Sequence, residues 1–205
     1  MRDWIRSVAR LRGSCILVGV NLMNRRSFIG GSLGLCAGAA LPVALDWSEY
    51  AGDYLEMALS SGIVTIKLNP DVAPNHVNRI KSLVRAKFYD AMPFARVVDG
   101  FMAQTGDPRK GTDVDLASLP KLNAEFSHLP FERGTVGMAR SRNPNSACHQ
   151  FFVTLADAAF LDGRYTAFGK VTSGMELIDQ LRLGVPDTGK VANPDLIGSV
   201  RLTAG

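Results

Sequence analysis

The chain has 205 residues, 46% of them hydrophobic and 20% charged, which suits one compact domain plus an appendage. A body of about 150 residues buries roughly two thirds of its unfolded surface, so it needs neither a disulfide nor a metal for stability. The formal charge of +4 does not mark a nucleic-acid binder: residues 1–44 carry six arginines against Asp3, while the rest holds 17 basic and 18 acidic side chains, without the cation excess that counterion release from phosphates demands.

Residues 1–44 read as a leader and 45–205 as the folded domain. Met23-Asn24-Arg25-Arg26-Ser27-Phe28-Ile29 opens a pair of arginines followed by an uncharged run from Ser27 to Leu45, with Asp46 as the next charge. This looks like a twin-arginine export signal, with small residues near Ala37-Gly38-Ala39 and Ala44 as the cleavage region. Met23 offers a second start, which makes residues 1–22 either an extension or a misplaced start. The expectation is an exported, periplasmic protein that meets the membrane only in transit; the alternative is an anchor, since about 19 uncharged residues approach a bilayer span. Gly30, Gly31, Gly34, Gly38 and Pro42 weaken a permanent helix there. Gly30-Gly31-Ser32-Leu33-Gly34 imitates a hydrolase nucleophile elbow, but that motif has meaning only between a strand and a helix of a folded body. Cys15 and Cys36 fall in the leader and Cys148 alone in the body, so no bridge can form within the domain.

In the body, Tyr54–Leu59 and Ile63–Leu68 alternate about Ser60-Ser61-Gly62, a hairpin signature. Pro74 stands where a helix begins, and Val77, Ile80, Val84 and Phe88 recur at spacings of three and four, predicting a helix over Asn75–Lys87. Strands are predicted at Phe94–Val98, Phe101–Thr105, Thr135–Ala139, Phe151–Thr154, Ala167–Val171 and Leu196–Leu202, with a second short helix at Met175–Leu181. Many short strands with two helices predict a mainly β fold, a closed antiparallel barrel with helices at its ends.

The segment Phe94-Ala95-Arg96-Val97-Val98-Asp99-Gly100-Phe101-Met102-Ala103-Gln104-Thr105-Gly106-Asp107 sets one arginine and one glutamine among apolar side chains. Strand alternation predicts Phe94, Arg96 and Val98 on one face, a tight turn at Asp99-Gly100, and Met102 beside Gln104. Gly134 to Val171 adds the sequences GTVGMAR, QFF and FLDGRYTAFGKV. Together these motifs, in this order, resemble the cyclophilin family of peptidyl-prolyl cis-trans isomerases, its bacterial branch in particular, over about Tyr54 to Leu202. The resemblance implies an eight-stranded barrel capped by two helices, an enzyme without cofactor or metal, and proline-containing polypeptides as substrates of a monomer.

Rotation about a peptide bond faces a barrier of about 18–20 kcal/mol, and X-Pro bonds have an appreciable cis population. Catalysis requires a surface that binds the twisted amide better than either planar isomer. Twisting restores a lone pair to the prolyl nitrogen, so a fixed donor aimed there acts selectively on the transition state. Arg96 is the candidate donor, since guanidinium stays charged and presents several N–H groups in a fork. The resemblance implies a proline pocket of Phe101, Met102, Phe152 and Leu161, rimmed by Phe160 and Tyr165. It makes Gln104 a holder of Arg96 or of the substrate carbonyl, and places Ala139, Arg140, Ser141 and Gln150 along the flanking peptide. Ala95 stands where the family usually has histidine, Phe160 where many eukaryotic members have tryptophan, and Tyr165 replaces a histidine, as bacterial members often do. Pro108–Lys121 lacks the family's Gly-Thr-Gly-rich loop. Cyclosporin is expected to bind weakly, since Phe160 has no indole N–H.

Two rivals remain at this stage. One is a non-catalytic proline-peptide-binding or chaperone module, which has no need of a donor aimed at the amide nitrogen. The other is a hydrolase built on a serine or Cys148 with His76, His128 or His149; as strand neighbours Cys148 and His149 would face opposite sides. The three histidines with one body cysteine have no zinc spacing.

Overall fold

The computed structural model describes residues 53–108 and 114–204. The leader, with Met23, the Arg25-Arg26 pair and the uncharged run, lies outside the described residues, as does part of Pro108–Lys121. In chain order the elements are β1 (Asp53–Leu59), β2 (Gly62–Leu68), α1 (Pro74–Arg85), β3 (Arg96–Val98), β4 (Met102–Thr105), β5 (Thr135–Met138), β6 (Phe151–Thr154), β7 (Ala167–Ser173), α2 (Met175–Asp179) and β8 (Ile197–Ala204). Single 3₁₀ turns lie at Pro144–Ser146 and Ala159–Leu161.

The eight strands form one antiparallel sheet in the order β3-β4-β6-β5-β7-β2-β1-β8. It curls into an open half-barrel, which corrects the expected closed barrel: among the described residues no strand ladder joins β3 to β8. The reason lies at β3, which is three residues long and has its outer edge occupied by irregular chain. Gly184 N donates to Val97 O, Val97 N to Gly189 O and Val191 N to Ala95 O. Ahead of β3, Phe94 N bonds Asp195 O and Ile197 N bonds Met92 O, which leaves a single bridge between Pro93 and Leu196 where β8 begins. The backbone groups that a closing ladder would need are therefore already satisfied.

Helix α1 carries the expected stripe: Val77, Ile80, Val84 and, just past its end, Phe88 are all buried. Pro74 occupies the first turn, where its missing N–H costs nothing. Phe94 departs from expectation. It precedes the strand and is buried in the main core beside Val97 rather than sharing the face of Arg96 and Val98.

The sheet separates two apolar clusters. Ala103, Val136, Phe151 and Val153 enter the main core under α1. Met102 and Phe152 point the other way, into a smaller cluster with Leu129, Phe131, Ala158, Leu161 and Ala167. Alternation along β4 and β6 thus sends successive apolar residues to opposite sides. The second cluster, on the outer face of the sheet, is where the site is built.

Candidate active site

The floor of the site comes from adjacent strands in register. Arg96 on β3 lies opposite Gln104 on β4, and Gln104 lies opposite Phe152 on β6. The turn between β3 and β4, with Gly100 at φ 62°, brings Phe101 beside Phe160 at a centroid distance of 5.3 Å. Phe152 is fixed by two neighbours: Phe131 stacks on it at 5.8 Å, and Tyr165 meets it edge-on at 5.9 Å. Phe152 and Leu161 are each 5% exposed, whereas Phe160 is 60% exposed.

The polar groups are held as firmly. Arg96 Nε donates to Thr188 O at 2.8 Å, which fixes the plane of the guanidinium and leaves its terminal nitrogens without a hydrogen bond among the described residues. Gln104 Nε2 donates to Gln150 Oε1 at 2.8 Å. The glutamine is thus engaged by Gln150, and the brace on Arg96 is the Thr188 carbonyl. Ala139 N donates to Gln150 O at 2.9 Å, joining the two walls.

Arg140 lies over the Tyr165 ring, its Cζ 4.3 Å from the centroid. It donates from Nη1 to Ser141 O and Arg142 O and from Nη2 to Arg164 O. It therefore buttresses the wall that carries it. The Ser141 backbone N–H and hydroxyl both donate to Ser146 Oγ, which orders the turn ahead of Cys148.

These parts enclose a groove of about 780 Å³, lined by all twelve residues named from the sequence as catalytic or substrate-binding. Lys121, Ser146, Cys148, His149 and Arg164 line it as well; Ser146 ends a 3₁₀ turn, and the other four reach the groove from turns and irregular chain. Gly106 makes one approach possible: at φ 93°, a Cβ there would stand 2.6 Å from His149 O.

Cys148 and His149 do not form a nucleophile–base pair. Cys148 and His149 lie in irregular chain rather than in a strand, and their side chains part for a different reason than the one expected. Cys148 Sγ lies 3.6 Å from Arg79 Nη1 and 3.9 Å from Leu119 O, while the His149 ring meets Phe88 edge-on. Burial, then the nearby Lys121 charge, lowers the His149 pKa. Among the described residues, no three His, Cys, Asp or Glu side chains converge on a metal-sized site.

The family model for cyclophilin type peptidyl-prolyl cis-trans isomerases matches residues 54–202. The chain belongs to that family. This cyclophilin is 45% identical over 185 residues to a probable peptidyl-prolyl cis-trans isomerase of Brucella suis, covering 83% of this chain and 94% of that protein. Among solved structures, a cyclophilin of Hirschia baltica superposes with a TM-score of 0.65 at 25% identity, over 74% of each chain. A Cryptosporidium parvum cyclophilin, solved in the presence of the dipeptide Ala-Pro, shares the fold with a TM-score of 0.64 at 22% identity, over 74% of this chain and 99% of that one. The activity is peptidyl-prolyl cis-trans isomerisation.

Proposed function

We propose that this cyclophilin rotates X-Pro bonds of folding polypeptides by hydrogen bonding from Arg96 to the prolyl nitrogen of the twisted amide. The observation that carries this reading is the tether of Arg96 Nε to Thr188 O. It orients the guanidinium in advance while leaving the terminal N–H groups for substrate. A donor fixed before the reaction loses little freedom at the transition state and binds selectively where charge develops. The proline ring packs on Phe101, Met102, Phe152 and Leu161, with Phe160 and Tyr165 at the rim. The flanking peptide runs along Ala139, Arg140, Ser141 and Gln150, and Gln104, braced by Gln150, presents its amide to the substrate carbonyl. Lowering the barrier by about 7 kcal/mol corresponds to roughly a 10⁵-fold acceleration.

Arg96→Ala tests the mechanism. The variant is expected to fold, because Arg96 is only partly buried and its one described side-chain hydrogen bond is to the carbonyl of exposed Thr188. Its kcat/KM for a proline peptide should fall at least tenfold. Arg96→Lys keeps the charge but loses the fork, and should recover only part of the loss. Near-normal turnover by folded Arg96→Ala would remove the guanidinium from the mechanism.

The protein is proposed to work as a monomer in the periplasm, delivered by the twin-arginine leader, with cyclosporin a weak ligand because Phe160 offers no N–H donor. A domain whose single cysteine, Cys148, is free has no disulfide to wait for and can fold before export. Replacing Arg25 and Arg26 with lysine should hold the precursor in the cytoplasm, measured by fractionation with an antibody to the body. Unimpaired export would point to the general secretory route or to an anchor.

A further inference from the structure

The groove is cationic in a body that is not. Arg96, Lys121, Arg140 and Arg164 line it with no carboxylate among its lining residues, whereas residues 45–205 hold 17 basic and 18 acidic side chains. The concentration of one sign is therefore local.

None of the four is neutralised by an acid among the described residues. Arg96 and Arg140 donate to carbonyl oxygens. Lys121 and Arg164 are exposed and make no described side-chain hydrogen bond or ion pair. Described ion pairs lie elsewhere, at His76–Glu125, Arg133–Asp179 and Lys170–Glu132. Asp107 lines the adjoining hollow beside Arg96 and Lys190, where the cations outnumber it.

The exposed cations also stand on anchored backbone. Pro120 O, just before Lys121, accepts from Arg79 Nη2 at 3.0 Å, and Leu122, just after it, bonds Ala147 O at 2.9 Å. Arg164 N donates to Leu161 O at 3.0 Å, and Arg164 O accepts from Arg140 Nη2 at 2.9 Å. A concave surface lined by one sign focuses its field into the cleft, attracts the opposite charge and rejects its own.

We propose that the groove selects proline segments carrying carboxylate side chains near the proline, with Lys121 and Arg164 as specificity-determining residues and basic-flanked prolines disfavoured. This rests on the reading that the peptide lies in this groove.

The test uses the protein with three peptides, Ala-Xaa-Ala-Pro-Ala-Xaa with Xaa as Glu, Gln or Lys, and measures kcat/KM for isomerisation at low salt and at about 1 M salt, where the screening length shrinks to about 3 Å. At low salt the Glu peptide should exceed the Gln peptide about threefold to tenfold, with Lys below Gln, as expected of a few partly exposed charge pairs. High salt should bring the ratios toward one. In a Lys121→Gln/Arg164→Gln double variant the Glu-to-Gln ratio at low salt should fall likewise. Because a ratio within one enzyme is read, a change in overall activity does not imitate the result; if the variant does not fold, the salt series on the unaltered protein decides. A Glu-to-Gln ratio at or below one, or a preference indifferent to salt, would overturn charge selection while leaving the isomerase site in place. Failure to isomerise all three peptides would overturn both.

Discussion

Glu125 caps a helix whose own sequence leaves it uncapped. The N-cap of α1 is Ala73, which has no side-chain acceptor. The carboxylate arrives from 50 residues away: Oε1 accepts from Asn75 N and Nδ2, and Oε2 from His76 N. It also meets Nδ1 of His76, a fully buried ring. Burial pushes the Glu125 pKa up, but the hydrogen bonds from His76 and Asn75 outweigh it and hold the group below its ordinary 4.5. A carboxyl whose folded pKa is depressed stabilises fully above its unfolded value, and that contribution is lost as pH falls through the folded value. Urea denaturation between about pH 6 and about pH 3 should therefore show stability falling below about pH 4.5, with the slope reduced in Glu125→Gln. Glu125→Ala should cost about 1–3 kcal/mol near neutrality, since it removes the cap and leaves a buried imidazole unpaired. A pH profile unchanged by Glu125→Gln would remove the linkage. Nothing near α1 in the sequence hints at this partner, and Thr188, the brace of Arg96, is equally hidden. Arg96 and Gln104 themselves were legible, because their setting among apolar residues is local.

At the scale of elements, legibility depended on how many faces of an element are buried. Helix α1 has one apolar stripe, so its spacing identified both the helix and the side that packs. Strands β5 and β6 are buried at every position, and an uninterrupted apolar run gives no sign of which side is core and which is pocket. Phe151 and Phe152 go to opposite clusters, and only the motif order set them apart in the sequence. Gly137 shows how tightly the pocket side is built. A Cβ there would stand 2.6 Å from Phe131 Cε1 and 2.7 Å from Phe152 Cζ, below any ordinary contact, with the two rings already stacked on each other. Gly137→Ala should therefore cost about 1–3 kcal/mol by overpacking and displace Phe152 at the floor of the groove. Thermal unfolding and kcat/KM should both decline. A normal melting temperature with normal turnover would show that the rings yield freely.

Over the whole molecule, sheet order and chain order distribute rigidity unevenly. Strands β5, β6 and β7 each have hydrogen-bonded neighbours on both sides, and Val136, Val153 and Phe168 are almost wholly buried. Strand β3, which carries Arg96, is the short strand at one end of the order and leans on irregular chain. That chain bonds it through Gly184 N and Gly189 O at Val97 and through Thr188 O at Arg96. Its residues Leu183, Val185, Pro186, Asp187 and Thr188 are exposed. The open barrel and the placement of Arg96 are thus one feature: the edge left without a strand ladder is the edge at which the guanidinium is held. Local opening is cheapest where few apolar contacts must break, so native-state hydrogen exchange should find the amides of Gly184 and Gly189 exchanging through local fluctuations. The amides of Val136 and Val153 should exchange only with global unfolding. Mild denaturant would then accelerate the second group and leave the first almost unaffected. Exchange of Gly184 and Gly189 as slow and as denaturant-sensitive as that of Val153 would show instead that the edge behind Arg96 belongs to the same cooperative unit as the centre of the sheet.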